Sequence, residues 1–579
     1  MKTSLLLKFI FPYLKKYKNI YFLLSIFVIV GIFYQTGMAW FFQNMTDTIF
    51  SNQQSNLVFF LFIGIFLIVV IMITSFFNVY YMAKTTNLIK RDIRMDLFKH
   101  LLQQPMSYIS STHSGSLQSQ IHQDTEQLDG VLGHNIAQLI ILPFSGSVAL
   151  IYLSFINVPL TLITLFLGPL ILIASKLIGV AIRTNGEVIQ ENTAKMSKQL
   201  QESFEGHTLL KTFRLEKQLT QKYKQINEEL ISNQIREGKF SGFLQSVSSG
   251  VGYGAQILIF AIGTFFVAND QITIGDLLAF IILSQSLITP FSNIGQLWTN
   301  LQRSLSAVSR IYTFLLLPKH LLLDESNVEQ QPVTITFNKV SFSYSPNKSI
   351  IQDINLTIMP NQRIAIIGES GAGKSTLMKL VLGLYLPTKG SIHLGLGDKG
   401  LEELKGINPY VSYVPQDAFL FDDTLYENIR YGKLDATVNE INYAAKQVSA
   451  TSFINQLDGD YQFQVGERGN RLSGGQRQRI TLARAFIGKR PIVVFDEATS
   501  ALDVQTEGTI LKELLQQNQE QTMIMITHRL STAMYCDKII LMANGSIIAE
   551  GKHDELLTTS DHYKDLYKKY IVANAQSYS

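Results

Sequence analysis

Between Tyr21 and Met82 the chain carries a single charged residue, Asp47. No other feature limits the possible folds so severely. An α-helix needs about 20 apolar residues to cross a bilayer, whereas apolar runs in soluble cores stop near 14. Asp47 separates two such runs, residues 20–42 and 57–82. Four more follow at 135–156, 159–181, 243–268 and 272–297, so six membrane helices are expected. The averages agree: 46% of the 579 residues are hydrophobic and only 16% charged, against about 25% charged in a soluble domain. Such a composition excludes a disordered chain, and a single cysteine, Cys536, excludes a disulfide-built module. A net charge of +4 over this length gives no reason to expect nucleic acid as a partner.

Loop charges set an orientation. Lys2, Lys8, Lys15, Lys16 and Lys18 precede the first span with no acid among them. Loop 43–56 has no Lys or Arg, and neither do the turns at 157 and 269–271. Lys84, Lys90, Arg91, Arg94 and Lys99 follow the second span, and Arg183, Lys195, Lys198, Lys211 and Arg214 follow the fourth. The positive-inside rule then puts both termini and both long connections in the cytoplasm. The lysine-rich start is not expected to be a cleaved signal peptide, since its apolar run is span length and no small-residue cleavage site follows. Residues 5–17 mix Leu, Phe and Tyr with lysines and are expected to lie along the membrane surface. In the second connection, Leu200, Phe204, Leu209, Leu210 and Phe213 recur at helical spacing, so the membrane helices should continue into the cytoplasm, with a break at Glu205-Gly206-His207.

The character changes near Leu317-Pro318: eight of the 14 prolines lie from there on, and apolar runs shorten to strand length. A transmembrane domain, 1–317, is therefore followed by a second domain, 318–579. There Ile364-Ala-Ile-Ile-Gly368 reads as a buried strand entering a loop of Gly368, Glu369, Ser370, Gly371, Ala372, Gly373, Lys374 and Ser375, and Thr376 opens a helix. The loop matches G-x-x-x-x-G-K-[ST]. Its glycines let backbone N–H groups curl round phosphates, Lys374 can reach the β and γ phosphates, and Ser375 can ligate Mg²⁺. A second buried strand ends in Asp496-Glu497. The aspartate suits a Mg²⁺ shell, and the glutamate can deprotonate a water.

Leu472-Ser473-Gly474-Gly475-Gln476, 24 residues before Asp496, resembles the signature motif of ATP-binding cassette (ABC) ATPases. Further motifs follow the same pattern. Tyr344 resembles the aromatic that stacks on adenine, and Gln416 in Tyr-Val-Pro-Gln resembles the Q-loop glutamine. Gln464-Val-Gly-Glu-Arg-Gly469 is similar to the segment with which exporters touch their membrane domain. Asp503 in Ser-Ala-Leu-Asp resembles the D-loop, and His528 the switch histidine. The resemblance covers essentially the whole chain, because six helices fused to a C-terminal cassette is the exporter half-transporter arrangement. It implies an all-α six-helix transmembrane domain with long cytoplasmic helical extensions, then an α/β P-loop ATPase domain.

That resemblance further implies ATP hydrolysis with Mg²⁺ at two sites between head-to-tail cassettes. Lys374, Ser375 and Gln416 would manage phosphate and metal, and Asp496 would support the metal. Glu497 would activate water and His528 contact the γ-phosphate. Ser473, Gly474, Gly475, Gln476 and Asp503 would complete the nucleotide site. Loops near 105–115 and 203–213 would pass cassette motion to the membrane helices. With Glu497, His528 and the signature all intact, a homodimer is favoured over pairing with a related half-transporter. The location expected is a bacterial plasma membrane, with membrane lipids as neighbours.

The spans hold almost no ionisable side chains, Asp276 and Lys176 excepted, which disfavours a proton-coupled route. Export of a hydrophobic or amphipathic compound, drug-like or lipid, is the first expectation. Export of a peptide without a fused peptidase is the second, and an ATP-gated channel or regulatory subunit the third.

Overall fold

The computed structural model describes residues 3–50, 57–112, 114–319, 331–345, 348–397, 400–498, 504–527 and 529–576. Two units emerge: Met1–Leu101 with Ser114–Leu317, and Leu102–His113 with Pro318–Ser579.

The first unit is helical. In chain order it contains α1 (Thr3–Lys16), α2 (Lys18–Phe50) and α3 (Leu57–Leu102). Helix α4 (Met106–Ser111) groups with the second unit. There follow α5 (Ser114–Glu126), α6 (Asp129–Leu132), α7 (His134–Ile156), α8 (Val158–Glu205), α9 (His207–Thr212), α10 (Glu216–Ala268) and α11 (Ile274–Leu315). Among the described residues, six helical segments are long and apolar enough to cross a membrane; they contain α2, α3, α7, α8, α10 and α11. Several run far past the bilayer: the 53 residues of α10 span about 80 Å against a hydrocarbon core of about 30 Å. Outside the apolar stretch α8 and α10 are pinned by side chain to backbone bonds. Asn185 Nδ2 donates to Asn233 O at 2.7 Å and Gln199 Nε2 to Leu219 O at 3.1 Å. Helix α8 stops at Gly206, where the sequence places the break.

Helix α11 lines much of the unit's core, with Phe280, Leu283 and Leu287 buried beside Leu153 of α7 and Ile259 of α10. One expectation needs correcting. Residues 43–50 are not loop; α2 continues through them to Phe50. Their polar groups find partners on the start of α11. Asp47 accepts from Gly275 N at 3.1 Å and Thr273 Oγ1 at 2.9 Å, and Gln43 Nε2 donates to Asp276 Oδ1 at 2.6 Å. At the other end of the helices Lys90 of α3, 5% exposed, meets Glu126 at 2.8 Å and Asp129 at 2.9 Å. Arg310 of α11 grips Asp124 with two bonds, 2.9 and 2.6 Å.

The second unit has two sheets. β1 (Val333–Ser345), β2 (Lys348–Ile358), β4 (Lys389–Leu396) and β5 (Leu401–Glu403) form an antiparallel sheet ordered β2-β1-β4-β5. The other sheet is ordered β10-β9-β3-β8-β7-β6. It comprises β3 (Arg363–Gly368), β6 (Val411–Val414), β7 (Ile492–Asp496), β8 (Thr522–Ile526), β9 (Lys538–Ala543) and β10 (Ser546–Gly551). All are parallel except β10, which pairs antiparallel with β9. Parallel strands covered on both faces read as unbroken apolar runs, and β7 is buried at every residue. Its alternate side chains enter different cores: Ile492 and Val494 join that of β1–β4, while Val493 and Phe495 join a helical one. The helices are α12 (Lys374–Val381), α13 (Leu425–Arg430), α14 (Val438–Gln447), α15 (Thr451–Ile454), α16 (Gly474–Ile487) and α17 (Val504–Gln517), with three more closing the chain.

Candidate active site

Strand register brings the phosphate loop and the acid pair to one edge. Ile366 of β3 and Asp496 of β7 both pair with Ile526 of β8, so the end of β7 lies level with a point two residues before the end of β3. Ligands of open parallel sheets sit beyond these carboxyl ends.

The loop after β3 can take its shape only with glycine at key points. Gly368 has φ +151°, and a Cβ there would lie 2.2 Å from Met542 O. Gly373 caps α12 at φ +100°, where a Cβ would come within 2.9 Å of Ile351. Inside this turn Lys374 is buried, its Nζ donating to Gly368 O and Glu369 O, each at 2.9 Å. Burial holds its pKa below the ordinary lysine value, and the carboxylates of Glu497 and Asp496 oppose that shift. An amine held by two carbonyls of the loop is poised to exchange them for a stronger acceptor such as phosphate. Ser370, Gly371 and Ser375 are exposed, Ala372 is buried and Thr376 half-buried.

Asp496 is buried at the end of β7. Burial raises its pKa first and the charge of Glu497 second, while Tyr413, Lys379 and Lys374 pull it down. Glu497 follows at φ +47°, the left-handed region, and Gln416 Nε2 donates to its Oε2 at 2.8 Å. Lys374, Asp496, Glu497 and Gln416 therefore form one electrostatic cluster. Among the described residues no group of three or more His, Cys, Asp or Glu is arranged to hold a metal. A Mg²⁺ here would take one carboxylate from the protein and its remaining ligands from hydroxyl, amide, phosphate and water, which is how Mg²⁺ is usually held.

Tyr344 near the end of β1 is half exposed, and its hydroxyl lies 3.3 Å from Thr376 Oγ1. Tyr385 meets its ring edge-on at 5.2 Å, Phe342 does so at 4.9 Å, and Lys379 Nζ stands 5.8 Å from its centroid. The Tyr385 hydroxyl is 3.0 Å from Ser110 Oγ of α4. Sequence reasoning missed Tyr385, and also Tyr413, whose hydroxyl is 3.5 Å from Asp496 Oδ2. The Tyr-Val-Pro-Gln match contains Tyr413 but gave it no role.

The signature residues stand apart. Ser473 caps α16 in a capping box: its Oγ accepts from Gln476 N at 3.3 Å, and its own N–H donates to Gln476 Oε1 at 2.8 Å. Gly474 and Gly475 open that helix. Leu472 and Ile480 root it in the helical core, whereas Ala372, Leu377 and Met378 of the phosphate loop and α12 belong to the other core. Asp503 and His528 lie outside the described residues. Arg529 and Glu507, which flank them, form a close ion pair that the sequence reading did not foresee.

Known proteins match over most of the chain. Residues 21–291 match the ABC transporter transmembrane region family and residues 351–500 the ABC transporter family. An ATP-dependent lipid A-core flippase of Methylobacillus flagellatus is 32% identical over 563 residues, covering 95% of this chain and 94% of that one. A fatty acid ABC transporter ATP-binding/permease protein of Mycobacterium bovis is 29% identical over 81% of this chain and 75% of its own length. Among solved structures, a bacterial Atm1-family ABC exporter with ATP bound superposes with a TM-score of 0.82 at 21% identity. That alignment covers 95% of this chain and 99% of the other, showing a shared fold. Matched in both its helical and its nucleotide-binding parts, the chain belongs to the ABC transporter family, as a multi-pass membrane exporter half-transporter that binds and hydrolyses ATP.

Proposed function

We propose that two copies of this chain form an exporter that moves a hydrophobic or amphipathic compound, lipid or drug-like, out of a bacterial plasma membrane, with both termini cytoplasmic. The carrying observation is the grouping of Lys374, Asp496, Glu497 and Gln416 at one sheet edge, with the signature rooted in a different core. An exposed, glycine-rich helix N-terminus attracts anions but supplies no full phosphate cage. Ser473, Gly474, Gly475 and Gln476 therefore suit the nucleotide held by a partner's loop.

In this reading the backbone of residues 368–375 and the Lys374 amine bind the phosphates, and Tyr344 stacks on the base. Ser375, Gln416 and Asp496 hold Mg²⁺, which neutralises phosphate charge. Glu497 takes a proton from the attacking water, and His528 and Asp503 complete the closed site. Little covalent help is needed, since phosphoryl transfer rests on positioning and charge. The lipid reading draws support from relatives named for lipid A-core and fatty acid substrates and from spans nearly free of charge. Transport of labelled lipids, dyes and peptides into inverted vesicles, compared with Glu497→Gln, tests it. ATP-dependent accumulation of peptide alone, or of nothing, would overturn it.

A further inference from the structure

Helices α2 and α7 share a cavity of about 350 Å³ in the first unit, to whose lining α3 contributes Met82. Its α2 wall is a stripe through Tyr21, Ser25, Val28 and Ile32, and its α7 wall includes Ala137 and Ile141. Among its lining side chains only Tyr21 and Ser25 carry a hydroxyl, and each is already satisfied. Tyr21 donates to Leu132 O at 3.2 Å, and Ser25 to Tyr21 O at 2.9 Å. No charged side chain lines it. A wall with no charge and with both hydroxyl protons already donated favours hydrocarbon, since a polar group buried here would find few partners.

The dimensions narrow the occupant. From Tyr21 to Ile32 α2 rises about 16 Å, half of the roughly 30 Å hydrocarbon thickness, so the cavity is one leaflet deep. Its volume lies at the lower end of the ~300–1,000 Å³ range of ligand pockets, room for one chain rather than two. Positions 21, 25, 28 and 32 follow helical 3–4 spacing, and the next position towards the N-terminus is Lys18, which is exposed. By helical register the same face thus carries a cation about one turn beyond Tyr21, at the end where the loop lysines put the cytoplasm.

We propose that this cleft binds a single-chain anionic amphiphile of the fatty-acid type from the inner leaflet, its chain between α2 and α7 and its headgroup at Lys18. The inference rests on the exporter reading above, to which it adds the site and the charge of the substrate. The test uses full-length protein in vesicles and three photoreactive probes of equal chain length: a fatty acid, a quaternary ammonium amphiphile and a diacyl phosphatidylglycerol. Crosslinks from the fatty acid should map by peptide mass spectrometry to residues 21–32 and 132–144. Ala137→Phe, which fills the cleft, should abolish them. Lys18→Gln, a surface change that leaves the cavity intact, should weaken apparent affinity about fivefold. Crosslinks elsewhere, or undiminished in Ala137→Phe, overturn the site. Equal labelling by the ammonium probe overturns the headgroup assignment, and equal labelling by phosphatidylglycerol overturns the single-chain assignment. ATP-driven fatty-acid movement measured on the same vesicles separates the two readings. Movement without labelling of the cleft sinks this site alone, whereas labelling without movement sinks the export reading and leaves the site.

Discussion

Replacing Glu497 by Gln isolates a proton acceptor from everything else that this side chain does. The carboxylate accepts from Gln416 Nε2 at 2.8 Å, and a glutamine at 497 still offers an amide oxygen to the same donor. Backbone strain is unchanged, because φ +47° is as awkward for Gln as for Glu. The neutral amide also relieves Asp496, whose pKa is raised by burial and then by the charge of Glu497. The folded state should therefore lose nothing. A missing general base costs roughly 10²–10⁴ in rate, about 3 to 5 kcal/mol of transition-state stabilisation. Phosphate release at saturating ATP should fall by that factor, while binding of a fluorescent ATP analogue and the melting temperature stay at wild-type values or above. Glu497→Gly adds a control. Relief of about 1 kcal/mol of left-handed strain is offset by a similar entropy term for glycine in the unfolded chain. Gln416 loses its partner but is exposed and can bond to water instead, so this variant should be about as stable as wild type and as inactive as Glu497→Gln. Turnover of Glu497→Gln within a few-fold of wild type would refute the base assignment, and a marked loss of stability would make Glu497 a structural residue instead.

Lys374→Ala removes hydrogen bonds from a charged donor worth about 1.5–3 kcal/mol, so ATP affinity should drop roughly 10- to 100-fold; an unaltered binding isotherm would exclude the lysine from the phosphate site. Ser110→Ala breaks the 3.0 Å contact between α4 and Tyr385, a bond worth about 1 kcal/mol. Transport per ATP hydrolysed in vesicles should fall, and a constant ratio would mean that this contact carries no motion. Burial pushes the Cys536 thiol up to about 12, leaving roughly three orders of magnitude less thiolate at neutral pH than an ordinary cysteine. Cys536 is partly buried, so maleimide should label the folded protein far more slowly than the denatured one, and equally rapid labelling of both would contradict the raised pKa.

How much of this was legible in the sequence depends on how far apart the interacting residues lie along it. A membrane span is a one-dimensional signal, and so is a phosphate loop whose eight residues are contiguous. The capping box of Ser473 and Gln476 is likewise local, an S-x-x-Q pattern at the mouth of a helix. By contrast, Tyr385 reaches Ser110 across 275 positions, and neither residue belongs to a pattern that periodicity or motif spacing can detect. The same holds at the far end of α2. Read alone, residues 43–50 carry no long apolar run and look like a loop, because Gln43, Asn44, Thr46 and Asp47 interrupt the pattern. They remain helical because Asp47 and Gln43 bond to Thr273, Gly275 and Asp276, 226 to 233 positions later. Gly275 allows the approach, since a Cβ there would lie 2.2 Å from Gln43 O. A polar helix end at a membrane surface is stable when another element pairs with its donors and acceptors, and a pairing so distant in sequence becomes visible only when both helices are in place.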